Sequence, residues 1–209
     1  MDNPQEAAAW VAKRVGKVTA SSLYKVARRK KDGTPYADYE NYRAEIALER
    51  LTGRAADHFV TPAMEVGTAR EPEAAFAYSM ETGVNLAFSD FVPHPTIEAM
   101  GASPDRLVGA DGLVEIKCPQ PKAHFDFLVT GLIKPEYYWQ CQAQMACTGR
   151  KWNDLFYYNP DFPPHLQTKR VRIDRNDDDI LNAESLVIIF DQEIEAMLAK
   201  LATEEVLAA

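Results

Sequence analysis

Ser103-Pro104-Asp105-Arg106-Leu107-Val108-Gly109-Ala110-Asp111-Gly112-Leu113-Val114-Glu115-Ile116-Lys117 is the stretch from which the fold can be read. Residues 86–93, 98–103 and 107–117 read as strands joined by turns, and Ala110–Leu113 holds an Asp-Gly turn signal. Side chains alternate along a strand, so Glu115 and Lys117 face one way and Ile116 faces the other way, into the core. A hairpin that lays 98–103 beside 107–117 would bring Asp105 near the face of Glu115. The product is two carboxylates and an ammonium on a sheet edge, with an apolar residue anchoring the strand beneath.

Outward from this stretch the pattern changes to helix on both sides. Residues 19–28 read as a short helix started by Thr19 or Ser21. Residues 36–52 carry Ala44, Ala47, Leu48 and Leu51 at helical spacing, with Gly53 as the stop. A further helix over 62–82 ends at Gly83, and Pro72 inside it predicts a kink or break. After the central strands, 121–131 and 135–148 read as helices, the second opened by Pro135. Strands follow near 153–159 and 168–173, and an amphipathic pattern over 177–201 closes the chain. The expected fold class is α+β, a small mixed sheet flanked by helices. We read residues 1–209 as a single domain: a helical part over 1–84, a sheet core over 85–175 and a C-terminal helix over 177–206.

Composition excludes several classes. The 209 residues are 46% hydrophobic and 26% charged, ordinary for a globular chain with a sizeable core. No apolar run approaches the ~20 residues that cross a bilayer, so no membrane is expected as a partner. The opening MDNPQEAAAW lacks a basic segment followed by an apolar one, so no signal peptide is expected. Cys118, Cys141 and Cys147 are odd in number and contain no Cys-x-x-Cys, which suits a reducing cytoplasm better than a disulfide framework. Net charge is −8 and the pI about 5.1, unlike a protein that coats nucleic acid. An enzyme acting on nucleic acid stays open, because bound cations neutralise a carboxylate-rich site and the local field sets affinity.

Asp105 and Glu115 suit a hard cation such as Mg²⁺, which takes one or two carboxylates plus water and substrate phosphate. Lys117 would orient or deprotonate an attacking water. A Glu-x-Lys pair alone fits a solvated strand face equally well. The Ser-Pro-Asp ten residues before Glu115, across a turn, favours the chemical reading. Lys25, Arg28, Arg29, Lys30 and Lys31 put five cations within seven residues, a donor cluster suited to phosphate.

Pro104-Asp105…Glu115-Ile116-Lys117 resembles the PD-(D/E)-x-K nuclease motif. Three further blocks narrow the resemblance. Trp10 to Ser21, WVAKRVGKVTAS, resembles the opening of phage-lambda-type exonucleases, the YqaJ-like viral recombinase family. Val66 to Glu71, VGTARE, resembles that family's Gly-x-x-x-Glu helix, and Gln140-Cys141-Gln142 its Gln-x-Gln helix. The blocks stand in family order and cover roughly 10–160. The resemblance implies a restriction-endonuclease-like core and a Mg²⁺-dependent 5′→3′ exonuclease on duplex DNA ends, with Mn²⁺ as substitute and two ions. It further implies a ring-shaped homotrimer and a single-strand annealing partner in the cytoplasm of a bacterial host. A structure-selective endonuclease of the same superfamily, or an inactive DNA-end-binding module, are the rival readings.

Carried onto this sequence, the family's metal ligands are Asp105, Glu115, Glu71 and the main-chain carbonyl of Ile116, and Lys117 is the catalytic lysine. Gln142, with Gln140, would position the water or scissile phosphate. Ser103 would sit by the 5′ phosphate, with Arg28, Arg29 or Lys31 as its cationic partner. Thr19 and Ser21 are expected near DNA, although helix capping explains them as well. The aspartates 177–179 read as favourable charge at a helix start. The four histidines show no ligand spacing, and Tyr137, Tyr138 and Trp139 read as core or interface.

Overall fold

In the computed structural model, residues 9–56 and 61–208 are described. The opening residues 1–8 and His58 lie outside them. Helix α1 is described over 9–12 and leads to strand β1 (Val18–Thr19). A 3-10 turn over Ala20–Ser22, then α2 (Leu23–Ala27), α3 (Ala37–Thr52) and α4 (Pro62–Thr82) complete the helical first part. Strands β2 (Leu86–Ala87), β3 (Val92–Pro93), β4 (Met100–Ala102), β5 (Arg106–Val108) and β6 (Gly112–Lys117) follow. Then come α5 (Pro121–Thr130), α6 (Pro135–Thr148), β7 (Trp152–Tyr158), β8 (Thr168–Asp174) and α7 (Asp177–Ala208).

The strands form two sheets. One has the order β1-β4-β3 and the other β2-β5-β6-β7-β8. Only β6 and β7 run parallel in the larger sheet, and α5 and α6 make the crossover between them. The fold is thus mixed α/β, small sheets flanked by helices, as expected. One pairing differs. The 98–103 segment does not lie beside 107–117: its strand β4 joins β1 and β3, and the partner of β6 is the short β5. The chain leaves β4 after Ala102, so Ser103–Asp105 bridge the two sheets.

The sheet faces separate two packing layers. Val114 and Ile116 of β6 and Phe156 and Tyr158 of β7 pack on α4 through Ala74, Ala75 and Tyr78. Leu113, Leu155 and Tyr157, on the other face, pack on α5 and α6 through Phe127, Cys141 and Met145. A third cluster joins α2, α3, the small sheet, α6 and α7 around Tyr42, Ile46 and Phe190. Gly112 and Gly101 permit the tightest approaches, since a Cβ at either would stand 2.1 Å from a ring, Trp152 and Phe91 respectively.

Two helices differ from their sequence patterns. In α3 the buried face is Tyr39, Tyr42, Ile46 and Ala47, while Leu48 and Leu51 are exposed. The tyrosines bring more apolar area to the core than the leucine stripe. Glu49 joins that face because its carboxylate accepts the Gly16 and Ala56 backbone N–H groups. Pro72 does not break α4, which runs unbroken from a Thr61 cap to Gly83. Proline removes one hydrogen bond, and packing of Ala74, Ala75 and Tyr78 just beyond it holds the helix in line.

Candidate active site

The site forms where the β5–β6 ladder stops. Arg106 pairs with Val114, so β5 ends before reaching Ile116. The Ile116 N–H instead donates to Asp105 Oδ2 at 2.7 Å. A strand residue projects its N–H and C=O to the same side, so the Ile116 carbonyl also points toward Asp105, past the end of the ladder. Asp105, the Ile116 carbonyl and Glu115 thereby share one corner. Glu115 and Lys117 do face one way and Ile116 the other.

Glu115 is 2% exposed, and both of its carboxylate oxygens accept hydrogen bonds. Oε1 accepts from Lys117 Nζ and from Gln140 Nε2, each at 2.7 Å. Oε2 accepts from Gln144 Nε2 at 2.6 Å. Lys117 also donates to Gln140 Oε1 at 3.1 Å and lies 4.6 Å from the Tyr137 ring centre. From α4, Glu71 reaches the same corner and accepts from Arg106 at 2.8 Å. Glu71, Asp105, Glu115, Ile116 and Lys117 line one cleft of about 340 Å³, walled by Gly67 and Thr68 of α4 and by Tyr137.

Electrostatics divide the acids from the lysine. Desolvation, then the charges of Glu115 and Glu71, push the Asp105 carboxyl well above the ordinary range. Burial alone would drive Lys117 toward its neutral form. The Glu115 charge and hydrogen bond, aided by Asp105, outweigh it, so the ammonium is held more firmly than usual. The neighbouring Cys118 thiol is pushed up to about 11 by burial and then by the charge of Glu71.

Among the described residues, no three acid, histidine or cysteine side chains stand already gathered as a cation cage. The donor set nevertheless fits a hard cation. Two carboxylates and a main-chain carbonyl converge, and an added positive charge would relieve the repulsion that raises Asp105.

Gln142 is not in this cleft. Gln140 and Gln144, one helical turn apart, face Glu115, whereas Gln142 lies roughly 200° round α6 from Gln140. Gln142 donates to the Asp174 carbonyl and accepts from the Asn176 N–H, tying α6 to the start of α7.

A second cleft, of about 390 Å³, adjoins the first, and Met64 lines both. Arg14, Thr19, Ser21 and Lys25 line it. Arg14 donates to Ser103 Oγ at 2.9 Å and stacks 4.2 Å above Trp10. Thr19 Oγ1 and Ser21 Oγ lie 3.4 Å apart, and the Thr19 side chain makes no helix cap. The basic cluster is placed differently. Arg28 pairs with Asp38 and lies over the Tyr24 and Tyr36 rings; Arg29 binds the Arg28 and Val26 carbonyls; Lys31 is exposed. The cation beside Ser103 is therefore Arg14. Sequence reasoning missed it, although it stands inside the quoted Trp10 to Ser21 block.

The other polar groups serve packing. His94 and His124 bind Glu184 and the Leu166 carbonyl, Tyr138 binds Asp179, and Asn176 caps α7. No helix among the described residues is long and apolar enough to cross a membrane. All three cysteines are free.

Residues 9–151 match the model of the YqaJ-like viral recombinase domain. Two crystal structures of an alkaline exonuclease (LHK-Exo) from Laribacter hongkongensis are similar to this chain. One is 42% identical with a TM-score of 0.89; the other, a complex with dAMP, is 41% identical with a TM-score of 0.90. Each similarity covers 97% of this chain and 100% of the other. A phage related exonuclease from Haemophilus somnus 129PT shares the fold, at 19% identity and a TM-score of 0.70, over 87% of this chain and 96% of its own. No curated protein matches the chain.

Proposed function

This chain belongs to the YqaJ-like viral recombinase family and is a nuclease, and we propose that it is a Mg²⁺-dependent exonuclease acting on linear duplex DNA. It digests one strand 5′→3′ to mononucleotides and leaves 3′ single strands for recombination by annealing. The observation that carries this reading is the convergence of Asp105, Glu115, Lys117 and the Ile116 backbone in one cleft at the end of β6.

Asp105, Glu115 and the Ile116 carbonyl would hold Mg²⁺ or Mn²⁺, with Glu71 turned toward a second ion. Such an ion, when bound, supplies positive charge against the phosphate and makes a water a better nucleophile at neutral pH. Lys117 donates to Glu115 and to Gln140, which holds its ammonium in the cleft. It aligns the attacking water and bears on the charge that develops at phosphorus. Gln140 holds both Lys117 and Glu115 and so sets their spacing.

In the adjoining cleft, Arg14 with Ser103, Thr19 and Ser21 forms the seat for a terminal phosphate. A guanidinium and hydroxyls are suited donors, and Ser103 stands two residues from Asp105. Arg14 takes the role expected of Arg28, Arg29 or Lys31. Lys31 and Lys30 are free to contact the DNA backbone further out. A ring-shaped homotrimer would keep a subunit of net charge −8 on DNA by topology, with less need of a basic surface. An annealing protein then receives the exposed strand.

Digestion of linear duplex labelled separately at its 5′ and 3′ ends tests this, with Mg²⁺ or EDTA and with Lys117→Ala alongside. Early release of 5′-labelled mononucleotide, lost in EDTA and in the variant, is expected. Release from the 3′ end overturns the polarity, cutting of closed circular DNA points to an endonuclease, and end binding without hydrolysis leaves a binding module. A monomer in sedimentation at working concentration removes the ring.

A further inference from the structure

The polar chain that starts at Glu115 runs into the centre of the sheet. Gln144 donates to Glu115 Oε2 at 2.6 Å. Its Oε1 in turn accepts from Asn153 Nδ2, also at 2.6 Å. Gln144 and Asn153 are both fully buried. Asn153 stands in β7 opposite Leu113, on the same sheet face as Leu155 and Tyr157. That environment is apolar, and it leaves Asn153 Oδ1 buried with no hydrogen-bond partner. An orphaned carbonyl in a core costs stability, and a leucine of similar shape would avoid the cost. The donating half of the side chain is therefore what the position uses.

What that half does follows from amide chemistry. A carboxylate only accepts, so Gln144 must turn its NH₂ toward Glu115. A primary amide can rotate by half a turn, which would set its oxygen against the carboxylate instead. The Asn153 NH₂ prevents this, because it needs an acceptor and Gln144 Oε1 is the one within reach. We propose that Asn153 is a positioning residue which, by locking the Gln144 amide, fixes the orientation of the Glu115 carboxylate in the active-site corner. This rests on the reading of Glu115 as a metal ligand. Partners one step removed from a ligand set its angle and basicity, and their loss typically weakens metal binding about 10- to 100-fold.

The test measures Mg²⁺ and Mn²⁺ binding to the DNA-free full chain by titration calorimetry, together with kcat and the KM for duplex ends. Asn153→Asp, at a pH where it is ionised, offers Gln144 only acceptors, so the amide should flip and present oxygen to Glu115. Divalent affinity and kcat are expected to fall about 10-fold or more, with KM for ends unchanged. Asn153→Leu removes the lock without burying a charge and should lose several-fold; it carries the test if Asn153→Asp fails to fold. In a Gln144→Met background, Asn153→Leu should cause no further loss, because Asn153 acts only through Gln144. A merely structural asparagine would lower the melting temperature and leave metal affinity untouched, and that result overturns the proposal. Glu115→Gln separates the two layers. If it binds metal as the wild type does, the ligand reading of Glu115 has failed. If it loses metal while both Asn153 variants keep it, only the role of Asn153 has failed.

Discussion

Asp154 and Glu115 sit on adjacent strands of one sheet, one residue out of register, and both are hidden from water. Their surroundings differ in the balance of charge. On the α4 face, Asp154 receives Arg172 at 2.8 and 3.0 Å, Arg170 at 3.1 Å and the Tyr78 hydroxyl at 2.8 Å. Burial works against its charge, yet the bonds from Arg172, Tyr78 and Arg170 prevail and hold its carboxyl below the usual range. On the α6 face and its open corner, Asp105, Glu115 and Glu71 meet only Lys117 and Arg106 among the described residues, and Asp105 is pushed upward by burial and then by the other two acids. Asp154 with two guanidiniums, one of them shared with Glu81, is a finished brace. Three acids with two cations leave a negative surplus, which an outside cation can answer. The difference teaches that burial of a carboxylate says little about its role until the countercharges are counted.

Substitutions on the two faces can break that division. Lys117→Ala should lower the rate of nucleotide release from linear duplex about 10³-fold, and it should lower the melting temperature too, because it leaves the buried Glu115 without its cation. An equal loss of rate from Asp154→Asn would erase the distinction. Asp154→Asn is instead expected to cost about 2 kcal/mol in urea unfolding, less than a fully enclosed pair because both arginines are partly exposed, and to leave kcat within about twofold. The sign of its pH dependence follows. A carboxyl lowered by folding stabilises above its unfolded value, and that stability is lost as pH falls through the folded value. The Asn variant should lack this acid-side slope.

Two smaller effects sharpen the contrast. Gln140→Ala should slow digestion about 10-fold, since it spaces Lys117 and Glu115. Gln142→Ala should leave digestion intact and cost about 1 kcal/mol of stability, the worth of its ties to 174 and 176. Asp105→Asn should abolish digestion yet raise stability by about 1 kcal/mol in EDTA at neutral pH. The wild-type carboxyl, raised by folding, loses stability as pH climbs from its unfolded toward its folded value, so the gain should vanish in acid. Added Mg²⁺ should raise the melting temperature of the wild type and leave Asp105→Asn unmoved.

Much of this was legible because it depends on local pattern. Period-two alternation placed Glu115, Ile116 and Lys117, and Gly53 and Gly83 marked two helix ends. The partner of β6 was not legible, because two short apolar runs flank Asp105 and only tertiary packing assigns one to each sheet. The phase of α6 was hidden too. Every residue from Cys141 to Cys147 is buried, so hydrophobic periodicity points to no face and Gln140, Gln142 and Gln144 look alike. Arg14 and Ser103 meet across 89 positions of chain, a contact no spacing rule anticipates.

The hydrogen bond from Ile116 to Asp105 makes the β5–β6 hairpin a ruler. Its turn fixes how many residues separate the acid from the backbone group it serves, so reach is measured in peptide units and not in side-chain length. Such a segment can exchange residues at its exposed tip, over 109–111, while both faces of β6 are held by packing. A link gained or lost inside β5 or β6 would swap inside for outside at Glu115, whereas the exposed turn over 109–111 can absorb one. Drift in these two strands is confined to substitution, while lengthening falls to the turn between them.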